Sequence, residues 1–213
     1  EANELVYRNY VQQGIFKSYQ ENIVNNRYLQ SSYRHIIVGL HKNKIIATIS
    51  LIEDSDNNGL PSDNFQPEEV SAVKKACRNL AEVSALAIDK EHAHSLLVII
   101  YLVKYCLHYS VFYAGIDHFI YACIPKHAKF WVRNLGATTL GQESYCNYAN
   151  RYAQLLAYNY ADSHRFLKYK YRNKQNSLYN VMFVDQPPNF IYPRTNKMCQ
   201  VCSVHSHDLA KAS

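Results

Sequence analysis

Glu82 is the residue in this sequence with most to suggest chemistry. It interrupts Asn79–Asp89, NLAEVSALAID, a run of small and apolar residues bounded by charge, which is the pattern of a strand buried on both faces. A carboxylate buried there is costly unless it has a partner, such as a structural cation, or a task. The task open to it is to take a proton from an incoming nucleophile. Side chains alternate along a strand, so Glu82 and Ser84 are expected on one side and Ala81, Val83 and Ala85 on the other. Arg8 offers a guanidinium fork suited to a carboxylate or phosphate. His127, at a helix start, offers an acid or a substrate contact. Cys199, Cys202, His205 and His207 are four potential zinc ligands. All lie within nine residues, whereas structural zinc sites draw their pairs from two separated knuckles, so a flexible tail and no metal are expected.

The elements that must carry these groups follow in order. Glu4–Gln13 reads as a helix with Leu5, Val6, Tyr10 and Val11 on its apolar face and Gly14 as its stop. Gln20–Ser32 lacks periodicity and reads as an irregular connection. His35–Leu40 and Lys44–Glu53 flank the short polar stretch His41-Lys42-Asn43, a hairpin signal. Ile36, Val38 and Leu40 share one face, as do Ile45, Ala47, Ile49 and Leu51. Asp54–Asn64 is a loop whose acids lack the spacing of a calcium site. Pro67 opens a short helix, and Glu68 and Glu69 complement its dipole.

After the Glu82 strand, Asp89 is expected to cap a helix over about Lys90–His108. Its stretch Leu96–Val103 is apolar on nearly every side, which predicts the buried helix of the domain. The apolar run stops at Lys104, too short to cross a bilayer. Asp117–Ile124 is a strand, Pro125 starts a helix that Gly136 ends, and Thr138–Cys146 and Arg151–Tyr160 are further strands.

The chain of 213 residues suits one core, with 48% apolar and 19% charged residues. Nineteen tyrosines suggest amphipathic surfaces or a lined groove. The net charge of +6 is scattered except for Lys168, Lys170, Arg172 and Lys174, which read as a solvated helix face rather than a nucleic-acid site. The six cysteines show no disulfide framework and no signal-peptide pattern opens the sequence, so reduced thiols and a cytoplasmic location are expected.

Three segments carry a resemblance. EVSALAID looks like the EVSRLAV-type signature of the N-acyl amino acid synthases, GNAT-type acyltransferases related to the acyl-homoserine-lactone synthases. LVYRNYVQQG, with Tyr7, Arg8, Tyr10 and Gly14, resembles the opening helix of that group. ACIPKHAKFWVRNLGATTLG resembles its strand, P-x-H, aromatic-aromatic and LG pattern through Pro125, His127, Phe130, Trp131, Leu135 and Gly136. Ala85 stands where the family usually has arginine, and Trp131 where many GNAT enzymes have a proton-donating tyrosine.

The resemblance, spanning about residues 4–160, implies an α/β (α+β) fold, a mixed and mostly antiparallel sheet with helices on both faces. It divides the chain into a core over residues 1–160 and an extension over 161–213 that is irregular from about 186. It implies an N-acyltransferase moving a long-chain fatty acyl group from an acyl-carrier-protein thioester to the amine of an amino acid or similar small molecule. Glu82 would be the base, backbone groups of Val83, Ser84 and Ala85 would polarise the thioester carbonyl, and Arg8, His127, Phe130 and Trp131 would contact substrate. The junction DKEHAHS has no glycine and carries two acids where a coenzyme A diphosphate would sit, so the carrier protein is the expected donor and no cofactor is expected. A catalytically degenerate binding module and a coenzyme-A-dependent N-acetyltransferase are the alternatives.

Overall fold

A computed structural model describes residues 1–16, 28, 31–56, 58–93, 95–172, 174–175 and 177–185. Most of the Gln20–Ser32 connection, the tail from 186 and the four Cys and His residues of that tail lie outside these. Helix α1 (Ala2–Gln12) precedes strands β1 (Arg34–His41) and β2 (Lys44–Glu53). A 3-10 turn (Pro61–Asn64) leads into α2 (Pro67–Ala76), β3 (Leu80–Ile88), α3 (Leu96–Tyr109) and β4 (His118–Cys123). Helix α4 (Pro125–Leu135), β5 (Thr138–Cys146), β6 (Arg151–Asn159) and α5 (Tyr160–Tyr171) complete the regular elements. The six strands form one sheet in the order β1-β2-β3-β4-β6-β5, antiparallel except for the β3–β4 pair. The expected mixed, mostly antiparallel sheet with helices on both faces is thus present.

The parallel pair is short, and that makes room for a site. Only Leu80, Ala81 and Glu82 find partners, in His118, Phe119 and Ile120. Beyond them β3 and β4 run on apart, so the backbone edge of β3 that faces β4 has no ladder partner after Glu82. One face of the sheet is covered by α1 and α2, where Ile52, Leu60, Val70, Leu80 and Ile120 pack and Leu5 and Val6 meet Ala85 and Ala87. The opposite face, covered by α3, holds the larger core, which includes Ala47, Leu51, Leu102, Cys106 and Phe119. Leu167 of α5 and Met182 of the following turn belong to that core.

Two strand faces differ from simple alternation. In β3 the pairing slips between Ser84 and Ala87, so Ala85 and Leu86 together oppose Ile49. This is a β-bulge, in which one extra residue is left unpaired and the strand bends. Ala85 carries it in the left-handed region, at φ 52°, and packs against α1 beside Ala87. Ala85 therefore lies on the Glu82 and Ser84 side, not with Ala81 and Val83. A second slip opposite Gly39 and Leu40 sends Ile45 to the α1 face, away from Ala47, Ile49 and Leu51. On β1, Ile36, Val38 and Leu40 do share a face, but it is the exposed one of an edge strand, and Ile37 faces the core.

Helix α3 also differs from expectation. Asp89 caps a 3-10 turn, accepting from the Glu91 amide, and α3 itself starts at Leu96. The apolar run does not end at Lys104: the helix continues through a π-turn to Ala114, reaching 19 residues, long and apolar enough by length and composition to cross a membrane. Lys104 is fully buried in the fold, with its ammonium donating to the Asp185 carbonyl at 2.5 Å. Leu102, Cys106 and Leu107 pack on the sheet, while Leu96 and Leu97 stay more than half exposed. The helix is apolar all round because part of its surface meets the core and another part lines the opening between β3 and β4.

Candidate active site

Glu82 sits at the last position of β3 that pairs with β4, where the sheet begins to part. It is 2% exposed, and both carboxylate oxygens are engaged: Oε2 accepts from the Ser62 amide at 2.8 Å and Oε1 from the Ser62 hydroxyl at 2.9 Å. Burial pushes its pKa up to about 8, and the two Ser62 hydrogen bonds act in the other direction by favouring the charged form. It is not locked to a cation. Lys74 acts on it from a distance, and Lys74 is itself bridged to Asp54 and Asp63 at 2.8 Å each. A carboxyl group held near pH 8 switches charge where an amine acceptor must be deprotonated.

Ser62 was not legible as a site residue. It lies in the stretch that reads as a plain loop, Asp54–Asn64. There Pro61 fits the first position of the 3-10 turn, and Asp63 accepts from the Leu60 amide at 2.6 Å. That turn presents the amide and hydroxyl of Ser62 to the carboxylate. Tyr148, from the turn between β5 and β6, is a second unforeseen neighbour. It lines the same cavity, and desolvation with the nearby Glu82 charge raises its hydroxyl well above the ordinary phenol range.

A cavity of about 1280 Å³ opens beside Glu82 along the gap between β3 and β4. Val83, Ser84 and Ala85 line it, as do His127, Phe130 and Trp131 of α4. Seven of the eight site residues expected from sequence therefore share one cavity. The eighth, Arg8, is exposed on α1 and is not among the described lining residues; Arg34 and Arg151 supply guanidinium groups there instead. Phe130 and Trp131 meet edge to face at 5.0 Å, and Tyr121 packs on Trp131 at 6.2 Å. Desolvation and the adjacent Lys126 hold His127 below its usual range, which favours the neutral ring.

The two sides of the cavity differ in kind. On the α1 and α2 face it presents Glu82, Tyr10, Arg34 and Tyr148; on the α3 and α4 face it presents Leu96, Ile99, Val103, Phe130 and Trp131. The first side can hold and deprotonate a polar acceptor. The second can hold a hydrocarbon chain. Between them runs the β3 edge that lacks a ladder partner, where backbone N–H groups can meet a carbonyl oxygen. Outside the cavity lining, Asp89, Glu91 and His92 bring ligand atoms within 4.8 Å of one another on an exposed turn. The four described cysteines are unpaired.

The family model for N-acyl amino acid synthase FeeM matches residues 1–159. The chain belongs to the FeeM family of N-acyl amino acid synthases. It is accordingly an N-acyltransferase. Among solved structures, FeeM from uncultured soil microbes is similar at 26% identity and a TM-score of 0.66, over 77% of this chain and 86% of that one. The acyl-homoserine lactone synthase MesI, described as CoA-dependent, shares the fold at 15% identity and a TM-score of 0.59, over 82% and 89% of the two chains. A chimera of spermidine N-acetyltransferase SpeG from Vibrio cholerae with hSSAT shares it at 13% identity and a TM-score of 0.51, over 78% and 95%. No curated protein matches the chain in a sequence comparison.

Proposed function

We propose that this N-acyltransferase moves a long-chain fatty acyl group from an acyl-carrier-protein thioester to the amine of an amino acid, with Glu82 as the base. The observation that carries the reading is the buried Glu82 carboxyl, held by Ser62 rather than by a cation, beside a cavity of about 1280 Å³. Ionised Glu82 takes a proton from the acceptor ammonium. The freed amine attacks the thioester carbonyl, whose developing oxyanion meets the backbone N–H groups of the β3 edge at Val83–Ala85. The carbon–sulfur bond then breaks, the amide forms, and the thiolate leaves with a proton released from the attacking nitrogen.

The volume supports a long chain, since an acetyl group needs only a small part of it. Two surface features support a carrier protein as donor over coenzyme A. The β3–α3 junction carries Asp89 and Glu91, which would repel a diphosphate. The outer sides of α4 and α5 expose Lys126, Lys129, Arg133, Lys168 and Arg172, a basic surface suited to an acidic carrier. A cytoplasmic setting, where acyl carriers and amino acids are both available, goes with this reading.

Purified protein given pooled amino acids with either long-chain acyl carrier protein or the same acyl group on coenzyme A tests it. N-acyl amino acids detected by mass spectrometry with the carrier donor, at higher kcat/KM than with coenzyme A, are expected. Turnover with acyl-coenzyme A alone would transfer the donor assignment to the mode that the MesI description names.

A further inference from the structure

The apolar wall of the cavity runs out to the protein surface at the N-terminal end of α3. Leu96 lines the cavity and is nevertheless 52% exposed, and Ala93 both lines it and is exposed, so these two residues stand on its rim. Ile99 and Val103, one and two turns along the helix from Leu96, carry the same lining inward. Beside Leu96, Leu97 is 62% exposed and does not line the cavity. The turn of the β1–β2 hairpin lies at this same end of the molecule. The His41 ring is 5.5 Å from the His92 ring, and the Asp89 amide donates to the Ile46 carbonyl at 2.7 Å, which sets the hairpin turn against the 3-10 turn Lys90–His92. Lys42, Lys44 and Lys90 are exposed on the two turns, and none of them forms an ion pair among the described residues. Two acids share this end: Glu91, and Asp89, whose Oδ1 accepts from the Glu91 amide.

A single exposed leucine needs no explanation. Two adjacent ones that continue an apolar channel onto the surface, fringed by lysines without ion-pair partners, combine the two features that bind a protein to a lipid surface: apolar side chains that enter the acyl boundary and cations that meet anionic headgroups. The proposed product supplies a reason for such a contact. An N-acyl amino acid is one hydrocarbon chain with a carboxylate head, and water is a poor medium for it. A channel that opens against a bilayer lets that chain leave without crossing water.

We propose that the end of the molecule formed by the β1–β2 turn and the start of α3 docks on bilayers that carry anionic lipids, with Leu96 and Leu97 in the acyl boundary and Lys42, Lys44 and Lys90 at the headgroups. The part that joins docking to product release rests on the acyl-transfer reading. The docking itself rests on the exposed leucines, the lysines and their place at the rim.

Co-sedimentation of the full chain with vesicles of phosphatidylcholine alone and of phosphatidylcholine and phosphatidylglycerol in equal parts provides the test, run on the wild type, on Leu97→Asp and on the double variant Lys42→Glu with Lys44→Glu. The wild type should bind the anionic vesicles, more weakly as salt is raised. Leu97→Asp should weaken that binding by about 10-fold or more, and the lysine variant by at least about 5-fold for each charge lost. Both should keep the wild-type kcat/KM with soluble substrates, because none of the three residues lines the cavity. An aspartate in the first turn of α3 suits the helix dipole, so melting followed by circular dichroism should show the fold intact. No sedimentation with either vesicle, or sedimentation that both variants leave as it is in the wild type, would overturn the docking surface. Light scattering that shows a dimer, dissolved by Leu97→Asp, in a protein that ignores vesicles would overturn it too and give the face to a second copy of the chain. Vesicle binding that Leu97→Asp abolishes, in a protein that transfers no acyl group, would sustain the docking while the acyl-transfer reading fails.

Discussion

The two sides of the central cavity meet at the same strand yet are built on different principles. The α1 and α2 side is assembled from residues far apart in sequence, namely Glu82, Ser62, Tyr10, Arg34, Tyr148 and Arg151, each oriented by hydrogen bonds or by the field of its neighbours. The α3 and α4 side is made largely from two helices, whose Leu96, Ile99, Val103, Phe130 and Trp131 line it in helical spacing. Polar recognition needs donors and acceptors at defined distances, so one misplaced partner is felt strongly. An apolar wall needs only volume and shape, so it tolerates exchange and controls length instead. The contrast predicts that polar-side changes alter rate and pH dependence, whereas apolar-side changes alter which acyl chain is used.

The sharpest way to break the comparison is Glu82→Gln. Loss of the base should lower kcat/KM by about 10²- to 10⁴-fold at pH 7.5; a loss below about 10-fold would remove Glu82 from the chemistry. In the wild type, kcat/KM should rise with pH through a limb near 8, because the base must be ionised and burial holds it protonated to about 8. That limb should vanish in the glutamine variant. The stability effect has the opposite sign. A carboxyl raised from its ordinary value of 4.5 to about 8 favours the fold fully below the lower value and loses that contribution as pH rises through the higher one. The melting temperature should therefore fall for the wild type between about pH 4.5 and 8 and level off above, and by less for Glu82→Gln.

Next in size is Val103→Trp on the apolar side. Filling the channel should cut kcat/KM for long chains by about 10-fold relative to short ones, with the pH limb and the amino-acid KM left as they were. A uniform loss across all chain lengths would mean that the two sides are not separable. The smallest expected effect is that of Ser62→Ala. Removing a hydrogen bond to the charged form raises the proton affinity of Glu82, so the limb should move to higher pH and kcat/KM at pH 7 should fall several-fold, within the ~10-fold worth of one such bond. A limb that moves down would show that Ser62 does not hold the ionised carboxylate.

Much of the apolar architecture was legible because it follows from local pattern. Pro67, Pro125 and Gly136 mark helix ends where the helices in fact start and stop. At Gly136 a Cβ would stand 2.8 Å from the Phe166 ring, so the chain can turn and let α4 approach α5 only without a side chain there. Glu82 stood out because a lone acid in an apolar strand conflicts with burial. The polar partners did not stand out. Ser62 and Tyr148 are ordinary loop residues until tertiary packing brings them to the carboxylate. Arg34 and Arg151 look like exposed strand ends, and only the folded sheet brings both near Tyr10, whereas Arg8, which the resemblance of its segment and its guanidinium fork point to, is exposed. The apolar run of α3 suggests a buried helix, yet Leu96 and Leu97 are exposed, because composition does not distinguish a surface covered by protein from one that lines a cavity.

The bulge at Ala85 has a consequence for how the strand can be altered. Because Ala85 is the extra residue, deleting it would restore strict alternation with Leu86 opposite Ile49 and leave Ala87 and Ile88 on their present faces, whereas straightening the strand with Ala85 kept would exchange the surroundings of Ala87 and Ile88. In that straightened strand Ala87 would leave the first helix and Ile88 would push into it. The same position, at φ 52°, is one where glycine sits without strain, so Ala85→Gly is a mild change there, while a residue that cannot hold that conformation presses the strand toward the inverted phase.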